Sequence, residues 1–296
     1  MKLIKQSFEF INQTDFSLVG IKKHIERCAR VSYKSEDKIT DTSYEKFVNM
    51  LESRGHDRPL EFGTVYLTLR GDDTDALRNI FIYAENPWTK IRKQVIKAEY
   101  NPNTHVVLNH VTTNYRVIVE NHLEEDLKYL CEPTEYHYKR YTVHMILDRG
   151  VMDEFRTHVG LSHLAESTRY CNYSKDKFDN EITFIKPCWL DDEKLKLYGP
   201  YHTVIRDKSP ESIFIANLNN VERDYLDLIK LGWTPQQARS ILPLGIKSEL
   251  ISCGFEDAWE NFFKRRDAPD AHPMAQEIAN PMHKEFFKLT RASWLS

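Results

Sequence analysis

The chain has 296 residues, 41% hydrophobic and 29% charged, which suits a packed core and excludes a disordered chain. With 41 Lys and Arg against 44 Asp and Glu, the net charge is -3, which excludes a general coat for nucleic acid polymers or an anionic membrane. Any anionic ligand is therefore expected to be small and met by local arginines.

Residues 1–10 carry no long apolar run, so no secretion signal is expected, and no stretch reaches the ~18 apolar residues that span a bilayer. Residues 16–33 read as a helix, with Leu18, Ile21, Ile25 and Cys28 at helical spacing. Residues 41–51 read as a second helix, capped by Thr42 or Ser43. Residues 63–69 alternate and are rich in Val, Tyr and Thr, a strand pattern, and 73–85 predict a helix. Residues 88–107 are basic and irregular, with Lys90, Arg92, Lys93 and Lys97, and read as an exposed insertion. Strands are predicted over 106–119 and 141–147. Asp148-Arg149-Gly150 breaks the second, and a helix-compatible segment follows to about 164.

A short strand is predicted over 182–185, and long helices over 200–231 and 271–289. Between these helices lie a short helix at 234–242, a strand at 247–252 and a helix at 256–265. The last has acids in its first turn and bases in its last, as the helix dipole prefers. Strands and helices without a βαβ rhythm predict an α+β fold, a mixed or antiparallel sheet flanked by long helices, in one domain over 1–296. Five cysteines with no C-x-x-C spacing argue against a disulfide framework or a zinc cluster, and place the chain in a reducing cytoplasm.

The residues richest in chemistry lie at 154–170, EFRTHVGLSHLAESTRY. Ser167 and Arg169, in a turn after a helix, form a phosphate grip, with a planar fork of donors and a hydroxyl. An ordinary polar helix end has the same composition, and the segment alone leaves both readings open.

Ser167-Thr168-Arg169-Tyr170 resembles the second half of the signature of flavin-dependent thymidylate synthases, Arg-His-Arg followed by Ser and then Arg-Tyr. Thr157-His158-Val159 stands where that family has Arg-His-Arg, so the histidine is kept and both arginines are absent. Arg156 is one residue away, about 100° around a helix, and points off the face shared by Glu154, Thr157, His158 and Leu161. His56-Asp57-Arg58-Pro59-Leu60-Glu61-Phe62 is similar to the family's His-x-x-Pro-x-Glu-His element, with Phe62 in place of the second histidine. Ser32 resembles the serine near the flavin phosphates, Ala238-Arg239-Ser240-Ile241-Leu242-Pro243 the Ala-Arg-x-x-Leu-Pro run, and Arg266 follows Arg239 at the family's interval, with Asn261 between them.

The resemblance implies reductive methylation of dUMP at C5, with methylenetetrahydrofolate as carbon source and FAD passing on a hydride from NADPH. It implies Arg266 as the group that polarises the pyrimidine. It also implies Glu154, Ser167, Arg169 and Arg239 at the nucleotide, and Ser32, His56, Arg58, Glu61, His158 and Asn261 at the flavin. It implies a homotetramer. The apolar stripe Ile278, Met282, Phe286 and Leu289 serves such an assembly or an internal core equally well. No catalytic cysteine is required, and Pro187-Cys188-Trp189 lacks the histidine of the folate-only thymidylate synthases.

The absent arginines leave three outcomes. Arg58, Arg116 or Arg156 compensates, or the substrate or product differs (dCMP, or hydroxymethyl transfer), or the protein binds flavin or nucleotide without turnover.

Overall fold

The computed structural model describes residues 1–98, 104–191, 193 and 209–292. Three sheets organise the chain. Strands β2 (Ser7–Phe10), β6 (Arg140–Asp148), β9 (Lys247–Phe255) and β7 (Leu161–Ala165) form an antiparallel sheet in the order β2-β6-β9-β7. Strands β3 (Thr64–Arg70), β5 (His105–Asn114) and β4 (Lys90–Lys97) form a second antiparallel sheet, with β5 central. Strands β1 (Lys2–Ile4) and β8 (Thr183–Ile185) pair in parallel. The expected α+β class with antiparallel sheets and long helices is therefore what the chain adopts.

The four-stranded sheet is covered on both faces. Successive residues of β9 point to opposite sides, so Ile251 and Cys253 join one core and Leu250 another. On the first side lies α1 (Leu18–Tyr33), whose Ile21, Ile25 and Cys28 are fully buried and whose N-terminus is capped by Ser17 Oγ accepting from the Gly20 amide. On the other side lie α9 (Glu256–Arg266) and α10 (Pro273–Ala292), which contribute Trp259, Phe262, Phe263 and Phe286. Each of these aromatic side chains adds about 1.5–3 kcal/mol by leaving water. Ile278, Met282 and Phe286 are buried inside the chain, so the apolar stripe of α10 serves the internal core. Among the described residues no helix is long and apolar enough to cross a membrane.

Four sequence expectations need correction. The 73–85 helix is two, α3 (Thr74–Leu77) and α4 (Ile80–Glu85), separated where Asn79 turns its side chain to Asp126. The basic segment 88–107 is no insertion: its first part is β4, an edge strand paired with β5 from Lys90↔Thr112 to Lys97↔His105, while 99–103 lie outside the described residues. Its lysines hid the period-two pattern, and charge on an edge strand also guards against pairing with other chains. The strand expected over 106–119 stops at Asn114, whose side chain accepts from the Val117 amide and starts α5 (Tyr115–Glu120).

The helix expected to reach 164 ends at Phe155. Asp148 Oδ1 caps α6 (Arg149–Phe155), and Thr157 Oγ1 donates to the Glu154 carbonyl at its end. Gly160, at φ +92°, then reverses the chain into β7. The phosphate-grip turn therefore follows a strand, not a helix. Helices α2 (Ser43–Ser53), α7 (Pro210–Lys230) and α8 (Pro235–Ala238) agree with expectation. The expected start of α7 at 200 falls outside the described residues.

Candidate active site

Two clefts open where the end of α1, the 3-10 turn Arg58–Phe62, α5 and the segment 156–163 converge. Their volumes are about 480 and 470 Å3, within the ordinary range for ligand pockets. Arg58 and Arg116 line both. The first cleft adds Ser32, Tyr33, His56, Pro59 and Leu164. Tyr33 Oη and His56 Nδ1 are 3.1 Å apart, and burial raises the Tyr33 hydroxyl pKa. Ser32 Oγ is buried with no hydrogen-bond partner among the described residues.

The second cleft is lined by Glu61, Trp88, Arg156, Thr157, His158, Val159 and His163. Glu61 is 4% exposed, and Arg116 Nη1 donates to its Oε1 at 2.5 Å. Arg156 reaches this cleft because no helix continues through 156–161 to carry it to another face, which corrects the expectation that it points away. Its partner is Asp153 at 3.5 Å, a half-exposed pair of small energetic weight.

His158, in the wall of this cleft, packs against Phe262, with ring centroids 4.9 Å apart. Arg266 Nε donates to its Nε2 at 2.8 Å. Burial first, and the Arg266 cation second, hold the His158 pKa near 4. A guanidinium has no acceptor, so the His158 proton is on Nδ1. Arg266 also donates from Nη1 to Glu154 Oε2 at 2.9 Å, and from Nη2 to the Glu154 carbonyl at 2.9 Å and to Thr157 Oγ1 at 3.3 Å. Of its five N–H donors, one on Nη1 remains without a partner among the described residues. His163 lies between Ser252 Oγ (2.8 Å from Nδ1) and the His158 carbonyl (3.3 Å from Nε2). Its pKa is also lowered to about 4, by burial first and further by Arg156 and Arg58.

The turn Ser167–Tyr170 begins where the Glu166 amide closes the β7–β9 ladder on the Glu249 carbonyl. Arg169 Nε donates to Gln236 Oε1 at 3.1 Å, and Arg239 Nη1 to Thr168 Oγ1 at 3.3 Å. Both arginines are exposed, and these hydrogen-bond partners are neutral, so both guanidinium charges stay available. The Tyr33 and Tyr170 rings lie 6.1 Å apart and link this turn to the first cleft.

A buried ionic quartet lies under the turn. Lys34 contacts Glu249 and, at 3.5 Å, Glu166; Lys247 contacts Glu249 and, at 3.0 Å, Glu166. His144 Nε2 is 2.8 Å from Glu249, and Cys171 Sγ donates to Glu166 Oε1 at 3.1 Å. Burial alone disfavours the Glu249 charge, yet His144 and the two lysines hold its pKa well below the usual carboxylate range. Burial likewise opposes the Lys34 charge, and Glu166 and Glu249 overcome it and raise that pKa. Lys34 caps α1 in the left-handed region, at φ 48° and ψ 51°.

The candidates thus fall into three groups. Ser32, His56, Arg58, Glu61 and His158 line the clefts. Glu154, His158 and Arg266 form one hydrogen-bonded cluster. Ser167, Arg169 and Arg239 share the turn and its immediate contacts. Asn261 is exposed on α9 and is not brought to any of them. Sequence reasoning missed Tyr33, Trp88 and the quartet. Lys247 and Glu249 carried a readable signal, because residues two apart in a strand share a face.

A sequence model of the family described as thymidylate synthase complementing protein matches residues 132–290. No curated protein matches the chain. Among solved structures, thymidylate synthase X from Helicobacter pylori with FAD and dUMP matches at 16% identity and a TM-score of 0.35, over 48% of this chain. The chain spans 65% of the length of that protein. A UMP/dUMP methylase, PolB from Streptomyces cacaoi, bound with 5-Br UMP, matches at 14% identity and a TM-score of 0.43, over 98% of this chain and 92% of that one. The same methylase bound with 5-Br dUMP matches at 15% and 0.42, over 98% and 93%.

Proposed function

We propose, because this chain belongs to the thymidylate synthase complementing protein family, the flavin-dependent thymidylate synthases, that it acts as a single domain to methylate dUMP reductively to dTMP, with methylenetetrahydrofolate, FAD and NADPH. The observation that carries this reading is the orphaned Ser32 Oγ at a cleft with His56 and Arg58, beside a second cleft with Glu61 and His158. A buried hydroxyl without a partner costs stability unless a ligand or water satisfies it. The residues present therefore fit a flavin nucleotide, rich in phosphate and ribose oxygens. FAD, when bound, supplies the hydride.

The chain's own residues bind and polarise. Arg169, Arg239 and Ser167 hold the 5′-phosphate, since both guanidiniums sit on neutral partners and are free to fork onto phosphate oxygens. C5 of uracil becomes nucleophilic as negative charge builds on the ring oxygens and N3. Arg266 stabilises that charge through its remaining Nη1 donor, while Glu154 and His158 fix the fork in place before reaction. Neutral His158 keeps that orientation without competing positive charge. The cysteines play no part in this scheme.

Purified protein is expected to be yellow and to convert dUMP, methylenetetrahydrofolate and NADPH to dTMP. Colourless protein that FAD does not protect against heat overturns the reading. A second reading, action on dCMP or hydroxymethyl transfer, is favoured by one feature. Val159, 90% exposed, presents an apolar side chain to the second cleft where the family has a cation. Product mass from dUMP and dCMP separates the two.

A further inference from the structure

Trp88 has no role in the reading above, yet it lines the same cleft as Val159, Arg58, Arg116 and Arg156. Its main chain is fixed on both sides. The Trp88 amide donates to Asn86 Oδ1 at 2.9 Å, the Thr89 amide donates to the Asn86 carbonyl at 3.1 Å, and Thr89 Oγ1 lies 2.8 Å from Thr113 Oγ1. From Lys90 onward β4 is locked to β5, which leads directly into Arg116. The indole is therefore held on an anchored backbone at the wall of a cleft that carries three guanidinium groups.

This combination selects for one class of ligand. An indole face offers stacking area to a flat ring, best to an electron-poor one. Arg58 and the weakly paired Arg156 beside it attract anionic groups on the same ligand. Val159, exposed and apolar, gains from being covered by that ligand. Arg58 has no ion-pair partner among the described residues, which leaves its charge for a ligand.

We propose that Trp88 is the stacking wall of the second cleft and takes a flat, electron-poor pteridine-type ring, that of a flavin or of a pterin. Arg58 and Arg156 hold the anionic part of the same molecule, while Arg116 stays paired with Glu61 and Glu120. The proposal rests on the function proposed above and adds a residue and a ring class to it.

The test uses the full chain as wild type, Trp88→Leu and Trp88→Phe, titrated separately with FAD and with folic acid as a pterin probe. Removal of one stacking face is expected to raise Kd about tenfold. A rise in Trp88→Leu for FAD alone assigns the ring to the flavin, and for folic acid alone to the pterin. Trp88→Phe keeps an aromatic face and is expected to stay within about threefold of wild type. Thermal melting of each variant separates lost stacking from lost folding. Should Trp88→Leu fail to fold, Trp88→Met, which also lacks an aromatic face, is titrated in its place with the same expected rise. Unchanged Kd values for both ligands in the variant that lacks an aromatic face overturn the proposal. Wild-type protein that binds neither FAD nor folic acid overturns the underlying function as well.

Discussion

Arg266 Nε donates to His158 Nε2 at 2.8 Å, an arrangement that only a neutral imidazole permits. His24, His137 and His163 are also held neutral, each by burial first, with pKa values near 3, 4 and 4. The unfolded chain binds a proton at each of these sites near pH 6.5, whereas the folded chain resists until about pH 4 or below. The unfolded state therefore holds more protons across that window, and stability falls as pH drops from about 6.5 toward 4. Melting temperature measured between pH 7 and 4.5 is expected to decline steeply. His158→Gln keeps an acceptor for Arg266 and cannot titrate, so its decline is expected to be shallower. A slope identical to wild type contradicts the assignment of a neutral His158.

The quartet under the phosphate turn is balanced, two lysines against two glutamates. Lys34→Met leaves Glu166 and Glu249 sharing Lys247, and breaking a buried pair in this way is expected to cost about 3 kcal/mol. Adding Glu166→Gln restores balance and is expected to recover at least half of that loss in a urea melt. No recovery in the double variant shows that packing of the Lys34 stem, not charge balance, carries the effect.

Arg116 is the counter-ion of the buried Glu61 carboxylate, and it also contacts Glu120. Arg116→Met strands Glu61 and is expected to destabilise by about 2–3 kcal/mol. Arg116→Met with Glu61→Gln is expected to recover much of the stability while FAD affinity stays low. Full recovery of FAD affinity in the double variant removes Arg116 from ligand binding.

Arg169→Ala and Arg239→Ala change exposed side chains, so melting temperature is expected to hold. Each is expected to weaken dUMP about tenfold or more while binding of deoxyuridine, which lacks the phosphate, is unchanged. Isothermal titration with the two ligands measures this. Equal losses for both ligands place these arginines away from the phosphate.

Local periodicity was legible in the sequence wherever one face is apolar, as in α1, β6 and α10. It misled where polar side chains carry structure. The lysines of β4 look like solvated charge, because an edge strand is read by its pairing with β5 rather than by burial. The helix assigned through 164 ignored Gly160, and Arg156 was turned away from the site as a result. Resemblance named Ser32, His56, Glu61 and His158, and the fold brings these four to two clefts that share a wall. Tyr33, Trp88 and Lys34 were not legible, because their significance comes from partners far away in the chain.

Arg58 and Arg116 face both clefts. A cation shared by two chambers divides its attraction among whatever they contain. When both occupants are anions, the first to arrive lowers the attraction left for the second, and linkage makes that penalty the same in either order. The common wall therefore makes the two clefts mildly antagonistic toward a pair of anionic ligands, and added salt, by screening the shared charge, makes them more independent.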